Sequence, residues 1–197
     1  VCGLTTMACA VYLQSESGSI AGAILISLGI GIAFGILHGY LIAYLEIQPF
    51  IITLSGLFLA QGLLTTLHKD PINVTMPAFV RLRDFDIVIT WLGTRNRLGV
   101  FIPCEIKPGT ILVVILLVIL ASLMKWSRFG RNVYAVGGNS HSAMMLGINV
   151  KRTIFITYVI SGLTAGIAGF VYIMTPGAGN VGNAAGAEMK AIASASI

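Results

Sequence analysis

Long uncharged apolar runs alternate with short polar segments along this chain, and the runs predict membrane-spanning helices. Ile20–Leu45, Pro49–Leu67 and Ile154–Met174 are each long enough to cross a bilayer, which takes roughly 20 residues. Thr110–Met124 is shorter, and we expect it to span with its flanking residues at the two interfaces. Val1–Leu13 is too short by itself and is expected to be the tail of a further span. The pattern predicts an all-α, polytopic transmembrane helical bundle with about five membrane segments.

The two ends of the chain predict a fragment. The chain begins at Val1 inside an apolar run, with neither an initiating Met nor a charged n-region, and it ends at Ile197 just after another apolar run has started. We expect residues 1–197 to be a single transmembrane domain that is truncated at both ends.

The charges of the polar segments predict the orientation. Residues 125–153 contain cations but no Asp or Glu, the pattern of a segment retained on the cytoplasmic side. Residues 68–109 mix both signs and are expected to form an outward-facing loop. By alternation, 14–19 and 175–186 then face outward and 46–48 faces inward. Inside the long loop, the Phe85–Leu92 stretch is too short to span and is a small strand, a re-entrant piece or a surface-lying segment.

Small residues recur every four positions in two of the spans, which predicts faces where helices approach closely. Lining of a solute path is the alternative interpretation. The candidate packing positions are Gly31, Gly35 and Gly39 in the first complete span, and Gly162 and Gly166 in the last.

The composition agrees with an integral membrane protein. The chain is 56% hydrophobic and 10% charged, and its mean hydropathy is +0.92. A formal net charge of +5 would also suit a nucleic-acid binder. The cations at positions 125–152 fit the orientation pattern instead, so we expect the lipid bilayer as a partner and no nucleic acid.

Motifs for catalysis, metals and nucleotides are weak or missing in the sequence. Gly177–Gly182 matches G-x-G-x-x-G, but it follows an apolar helix instead of a short strand, so we reject a dinucleotide site. No G-x-x-x-x-G-K-[ST] occurs. The sequence therefore predicts no catalytic residues, no metal and no cofactor in this chain. The residues considered for metal sites, which show no ligand spacing, are Cys2, Cys9, Cys104, His38, His68 and His141.

The complete spans hold His38 as their only titratable basic residue and no acid, which argues against coupling to an ion gradient. A path powered by an energised partner is favoured instead. Polar positions in Pro49–Leu67 are candidates for the solute path, or they bond to neighbouring helices. The solute-path candidates are Pro49, Phe50, Thr53, Ser55 and Gln61.

The cationic segment contains a candidate docking surface for such a partner. Gly137, Gly138 and Asn139 predict a turn with Asn139 as an N-cap, and the SHSAMMLG stretch after them predicts a short helix.

Two stretches resemble a known family. RFGRNVYAVGGNSHSAMMLGINVKR followed by YVISGLTAGIAGFVY, together with IQPFIITLSGLFLAQGL, is similar to permease subunits of bacterial ABC importers for simple sugars, and is most similar to the galactofuranose branch. The resemblance implies a multi-pass protein of the bacterial inner membrane. It also implies three partners: a cytoplasmic ATPase that holds the ATP, a second permease subunit and a periplasmic sugar-binding protein. The residues implied to couple to the ATPase are Gly137, Gly138, Asn139, Ser140, His141, Ala143, Gly147 and Ile148.

One stretch departs from the family pattern. Where the family usually has Glu-Leu-Asp-Ala-Ile-Ala, this chain has Glu188, Met189, Lys190 and then Ala-Ile-Ala, so Lys190 reverses a charge. The hypothesis is a transport permease and not an enzyme. A secondary carrier or channel that needs no ATPase is the alternative, and a membrane-embedded enzyme is disfavoured because no catalytic set is present.

Overall fold

The structure is a computed structural model that describes residues 1–15, 18–67, 70–83, 87–95 and 101–180, with the single residues 186, 189, 191, 193 and 194. Its helices are α1 Cys2–Gln14, α2 Ile20–Ala43, α3 Pro49–Leu67, α4 Pro77–Arg83, α5 Pro108–Trp126, α6 Arg128–Gly138, α7 Ser140–Met145 and α8 Val150–Met174. Its strands are β1 Ile72–Asn73, β2 Ile87–Arg95, β3 Phe101–Ile106 and β4 Ala178–Gly179.

Four helices in the described part of the chain, α2, α3, α5 and α8, are long and apolar enough to cross a membrane, and α1 is a shorter apolar helix. The predicted all-α transmembrane bundle is confirmed. Helix α5 is longer than the sequence pattern indicated, because Pro108 occupies its first turn and Lys125 its last. Both positions are favourable at helix ends.

The centre of the bundle is the contact between α2 and α8, the most extensive helix pair in the described structure. Gly31 and Gly35 on α2 lie against the backbone of Gly162 and its neighbours on α8. A Cβ atom at Gly35 would lie 2.9 Å from both the Tyr158 carbonyl oxygen and the Val159 Cα. Glycine is required here because the two backbones leave no room for a side chain.

Helices α1 and α3 pack around this pair. Met7 and Leu13 of α1 are fully buried, and the Thr6 hydroxyl donates a 3.0 Å hydrogen bond to the Gly169 carbonyl of α8. Helix α3 packs against α1 and α2 through one apolar stripe. The stripe consists of Ile52, Gly56, Ala60 and Leu64.

The segments that connect the helices meet at the two ends of the bundle. At one end β1 pairs with β4 in antiparallel register, Ile72 opposite Gly179, which joins the segments predicted to face outward. At the other end Glu46 pairs with Lys151 at 2.7 Å, which joins the segments predicted to face inward. The grouping is the one that alternating spans require. Which end faces the cytoplasm stays a prediction from the charges.

The segment at 68–109, predicted to face outward, contains a hairpin. Strand β2 pairs antiparallel with β3, with an irregularity between Ile89 and Thr94. Of the three alternatives for Phe85–Leu92, the structure has a strand from Ile87 onward, while Phe85 and Asp86 lie outside the described residues. The positions of Glu188 and Lys190 also lie outside them.

The segment at 125–153 is mostly helical, with α6 and α7 between the end of α5 and the start of α8. Helix α6 was not predicted, and Gly137 and Gly138 lie at its end instead of in a turn. The Ser127 hydroxyl caps α6 by accepting a 3.0 Å hydrogen bond from the Gly130 amide. Half-buried Phe129 and Val133 lie one helical turn apart, and this amphipathic spacing supports a helix despite the glycines.

We expect Gly35→Ala to destabilise the chain, because its Cβ would collide with α8 backbone atoms. Overpacking of this kind costs about 1–3 kcal/mol. The matched control on the same helix is Gly29→Ala, where a Cβ meets nothing within 4 Å. Alanine there favours the helix by roughly 0.5–1 kcal/mol. The measurement is the midpoint of thermal unfolding of the chain in detergent, and equal midpoints for both variants would contradict the packing assignment.

The predicted orientation is tested by labelling with a membrane-impermeant thiol reagent in a Cys104→Ser background. Ser140→Cys should react only after the cytoplasmic face is opened, whereas Thr75→Cys, near β1, should react in intact cells. The background without an introduced cysteine measures any reaction of Cys2 and Cys9 in α1. Reversed accessibility of the two introduced thiols would invert the topology.

Candidate functional site

Helix α7 is a short, well-capped helix at the end of the bundle that carries Lys151. The Asn139 side chain accepts a 3.0 Å hydrogen bond from the Ser142 amide, so Asn139 is the N-cap that the sequence predicted. The Asn149 side chain accepts a 3.0 Å hydrogen bond from the Arg152 amide and caps α8 in the same way. Both helix starts are therefore fixed by side-chain oxygens.

The turn between α7 and α8 depends on a glycine. Gly147 has φ +79°, in the left-handed region that an L side chain rarely adopts. Its amide donates to the Met144 carbonyl at 3.0 Å, and the Ile148 amide donates to the Ala143 carbonyl at 3.1 Å. These bonds close the end of α7, and Asn149 begins α8 shortly after it.

The end of α7 and its C-cap Leu146 present exposed apolar side chains. Met144, Met145 and Leu146 are 59%, 77% and 78% exposed, whereas Ala143 is buried. Ala143 is among the coupling residues predicted from the sequence, whereas these three larger residues are not. Their signal was an apolar cluster inside an otherwise polar and cationic segment, since exposed apolar clusters on polar segments are typical of contact surfaces.

The predicted coupling residues lie together in this region. Gly137 and Gly138 are exposed at the end of α6, and a Cβ at either would meet nothing within 4 Å. Ser140 and His141 are exposed on α7, and Ile148 is half-buried in the turn that follows. Helix α7 contacts both α6 and α8. These residues, which we call the α6–α7 surface, lie together at one end of the bundle.

A mostly apolar cavity of about 340 Å³ lies behind this surface, between the ends of α2 and α8, the start of α3 and α6. Pro49, a solute-path candidate, and Gly137, a coupling candidate, both line this cavity. Its lining residues are Ile42, Pro49, Val133, Val136, Gly137, Thr153, Ile154, Thr157 and Tyr158.

The Glu46–Lys151 ion pair lies at the same end. Lys151 Nζ is 2.7 Å from Glu46 Oε1, and both side chains are more than half exposed. The hydrogen bond from Lys151, reinforced by its positive charge, lowers the pKa of the Glu46 carboxyl below its ordinary value. The carboxylate is therefore ionised at neutral pH. Glu46 has φ 57°, a left-handed conformation just after the end of α2, where glycine is the usual residue.

The other solute-path candidates lie on parts of α3 that no described helix covers. Phe50 is 71% exposed, and Thr53, Ser55 and Gln61 are exposed as well. The Thr53 hydroxyl donates to the Pro49 carbonyl at 2.9 Å, and the Ser55 hydroxyl donates to the Ile51 carbonyl at 2.9 Å. Both hydroxyls therefore bond to carbonyls of their own helix. The structure does not place them at the α6–α7 surface.

His38 lies where α2 meets α3, against Gly56. Its Nε2 atom is buried and has no hydrogen-bond partner within the described part of the chain. The residues that the structure describes contain no group of three or more His, Cys, Asp or Glu that could hold a metal ion.

Known proteins similar to this chain are transport permeases. The chain is 33% identical over 173 residues to the fructose import permease protein FruG of Bifidobacterium longum, covering 88% of this chain and 49% of that protein. It is 32% identical over 197 residues to the D-allose transport system permease protein AlsC of Escherichia coli, covering 100% and 56%. It is 30% identical over 171 residues to the galactofuranose transporter permease protein YtfT of Escherichia coli, covering 87% and 45%.

The chain spans about half the length of these curated relatives. No solved structure matches it. The family model described as branched-chain amino acid transport system / permease component matches residues 1–197, so the match includes the four span-length helices and the α6–α7 surface. The chain is therefore a multi-pass membrane protein that belongs to the branched-chain amino acid transport system / permease component family.

Proposed function

We propose that this chain is part of the transmembrane permease subunit of an ATP-driven sugar importer in a bacterial inner membrane. The observation that carries the proposal is the exposed apolar surface of Met144, Met145 and Leu146 at the end of α7. The relatives named for fructose, allose and galactofuranose support a sugar as the solute.

The α7 surface suits a docking partner. Exposed apolar side chains outside a membrane span lose contact with water when a partner covers them, and this burial favours binding. Methionine adapts its shape to a partner because it is unbranched and flexible. The partner in this proposal is a cytoplasmic ATPase, since the chain has no phosphate-binding motif of its own and ATP would be held by that subunit.

A rigid connection supports transmission of force from this surface. The turn at Gly147 is closed by hydrogen bonds back to α7, and Asn149 caps α8 directly after it, so the link between the two helices is short. A displacement of α7 by the ATPase would move α8 with it, as a rigid body. In this proposal the chain performs no catalysis and converts the partner's motion into a change of access to the solute.

The solute path in this proposal includes the uncovered faces of α3. Thr53, Ser55 and Gln61 present polar groups in a membrane-spanning helix, where hydroxyls of a sugar would find hydrogen-bond partners. A second permease subunit would close the path on the other side, and a periplasmic sugar-binding protein would deliver the solute.

The proposal predicts that the full-length protein, extracted from its native membranes in mild detergent, co-purifies with an ATPase that contains a P-loop. The paired variant Met145→Asp with Leu146→Asp should lose the ATPase, because it places charges in the apolar contact. The control Tyr134→Asp changes an exposed aromatic residue on α6, outside the α7 surface, and should retain it. Recovery of the permease alone, under conditions that keep a known importer intact, would favour a carrier without an ATPase.

Gly138→Trp in the full-length protein should abolish transport while leaving membrane insertion intact. The new side chain meets no atom of this chain within 4 Å of the added Cβ, so it changes the outer surface and not the internal packing. The measurement is uptake of labelled sugar together with the amount of protein in the membrane. Uptake at the normal rate would contradict the assignment of Gly138 to the ATPase contact.

A further inference from the structure

Among the span-length helices, α3 packs least against α6 and α8, the helices on either side of α7. It packs against α1 and α2 and makes no comparable contact with α6 or α8 within the described part of the chain. The 340 Å³ cavity lies between the start of α3 and those two helices, with Pro49 on one side and Val136 and Tyr158 on the other. Direct side-chain packing therefore connects the start of α3 only weakly to the coupling surface.

The helices between α7 and the start of α3 are held together by direct contacts. The glycine contacts hold α2 against α8, and the ring of Tyr44 at the end of α2 lies edge-on to Phe155 of α8, with ring centres 5.9 Å apart. The turn at Gly147 is closed by hydrogen bonds back to α7, and α7 also contacts α8. Displacement of α7 would move α8 and α2 together, and it would reach α3 through the connection at residues 44–48.

We infer that Glu46 and Lys151 are positioning residues that carry this displacement across the cavity to the start of α3. Lys151 lies in the first turn of α8, next to the turn from α7, and Glu46 lies in the connection that leads into Pro49. Their ion pair joins the first turn of α8 to the connection that leads into α3. The inference rests on the proposed function.

Stability does not account for the pair. Both side chains are exposed, and exposed ion pairs contribute little to folding because water and salt screen them. Glu46 also adopts a left-handed backbone conformation that glycine would adopt without strain. A glutamate at this position supplies a carboxylate next to Lys151, and backbone strain of this kind is typical of functional positions.

Hydrogen bonds join the connection that contains Glu46 to both α2 and α3. Beyond Glu46, the Ile47 amide bonds back to the Leu41 carbonyl at 3.4 Å, and the Ile51 and Ile52 amides bond to the Gln48 carbonyl at 3.1 and 3.4 Å. The connection is thus short and joined by hydrogen bonds to both helices. A displacement of the Glu46 carboxylate would therefore also displace the first turn of α3.

The test uses the full-length permease reconstituted in vesicles with its ATPase and sugar-binding protein. Sugar uptake and ATP hydrolysis are measured on the same vesicles, and their ratio is the coupling. We expect Glu46→Gln and Lys151→Gln each to lower sugar taken up per ATP hydrolysed by about 2- to 30-fold, the range for variants along a coupling route. ATP hydrolysis and the amount of assembled complex should change little.

The exchanged pair Glu46→Lys with Lys151→Glu restores opposite charges and should recover most of the coupling. The matched control is Arg152→Gln, which removes the neighbouring exposed cation and should leave the ratio unchanged. Single variants with a normal ratio, or an exchanged pair no better than the single variants, would overturn the inference. A wild-type protein without ATP-dependent uptake would instead show that the proposed function fails.

Discussion

The close approach of α2 and α8 is the constraint on which the rest of the structure depends. Gly31, Gly35 and Gly162 let two helix backbones meet where any side chain would separate them. In a bilayer the lipid is as apolar as the helix surface, so association relies on such close packing more than on burial from water. The elements that surround this pair are positioned by it: α1 bonds to Gly169 through Thr6, and α7 is attached where α8 begins.

This arrangement divides the molecule into a firmly packed part and a less constrained part. Helices α1, α2, α7 and α8 share close contacts or a bonded turn, whereas α3 adds one apolar stripe and leaves its polar residues uncovered. The cavity at Pro49 lies on the boundary between the two parts. Relative motion is easiest where packing is sparse, because few contacts must break. The boundary also lies next to the α6–α7 surface, so the docking and solute-path proposals meet there.

The sequence was informative wherever one physical signal dominated. Apolar length predicted α3 with the bounds Pro49–Leu67, and the side-chain chemistry of Asn139 predicted the N-cap of α7. It was misleading where two signals competed. Gly137 and Gly138 predicted a turn, but they end helix α6, because Ser127 starts that helix and its half-buried residues pack against α5 and α8. The exposed methionines of α7 were missed because composition does not distinguish exposed from buried apolar side chains.

The sequence by itself determined that the chain is a multi-pass helical membrane protein, because span length and the exclusion of charge from lipid are local properties of the chain. It also predicted the cationic face and the family resemblance. Only the tertiary structure decided which segments meet: Ile72 with Gly179 in a strand pair, Glu46 with Lys151 in an ion pair, and Pro49 with Gly137 around one cavity. These residues are far apart in the chain, and their proximity follows from how α2 and α8 pack, which no local pattern specifies.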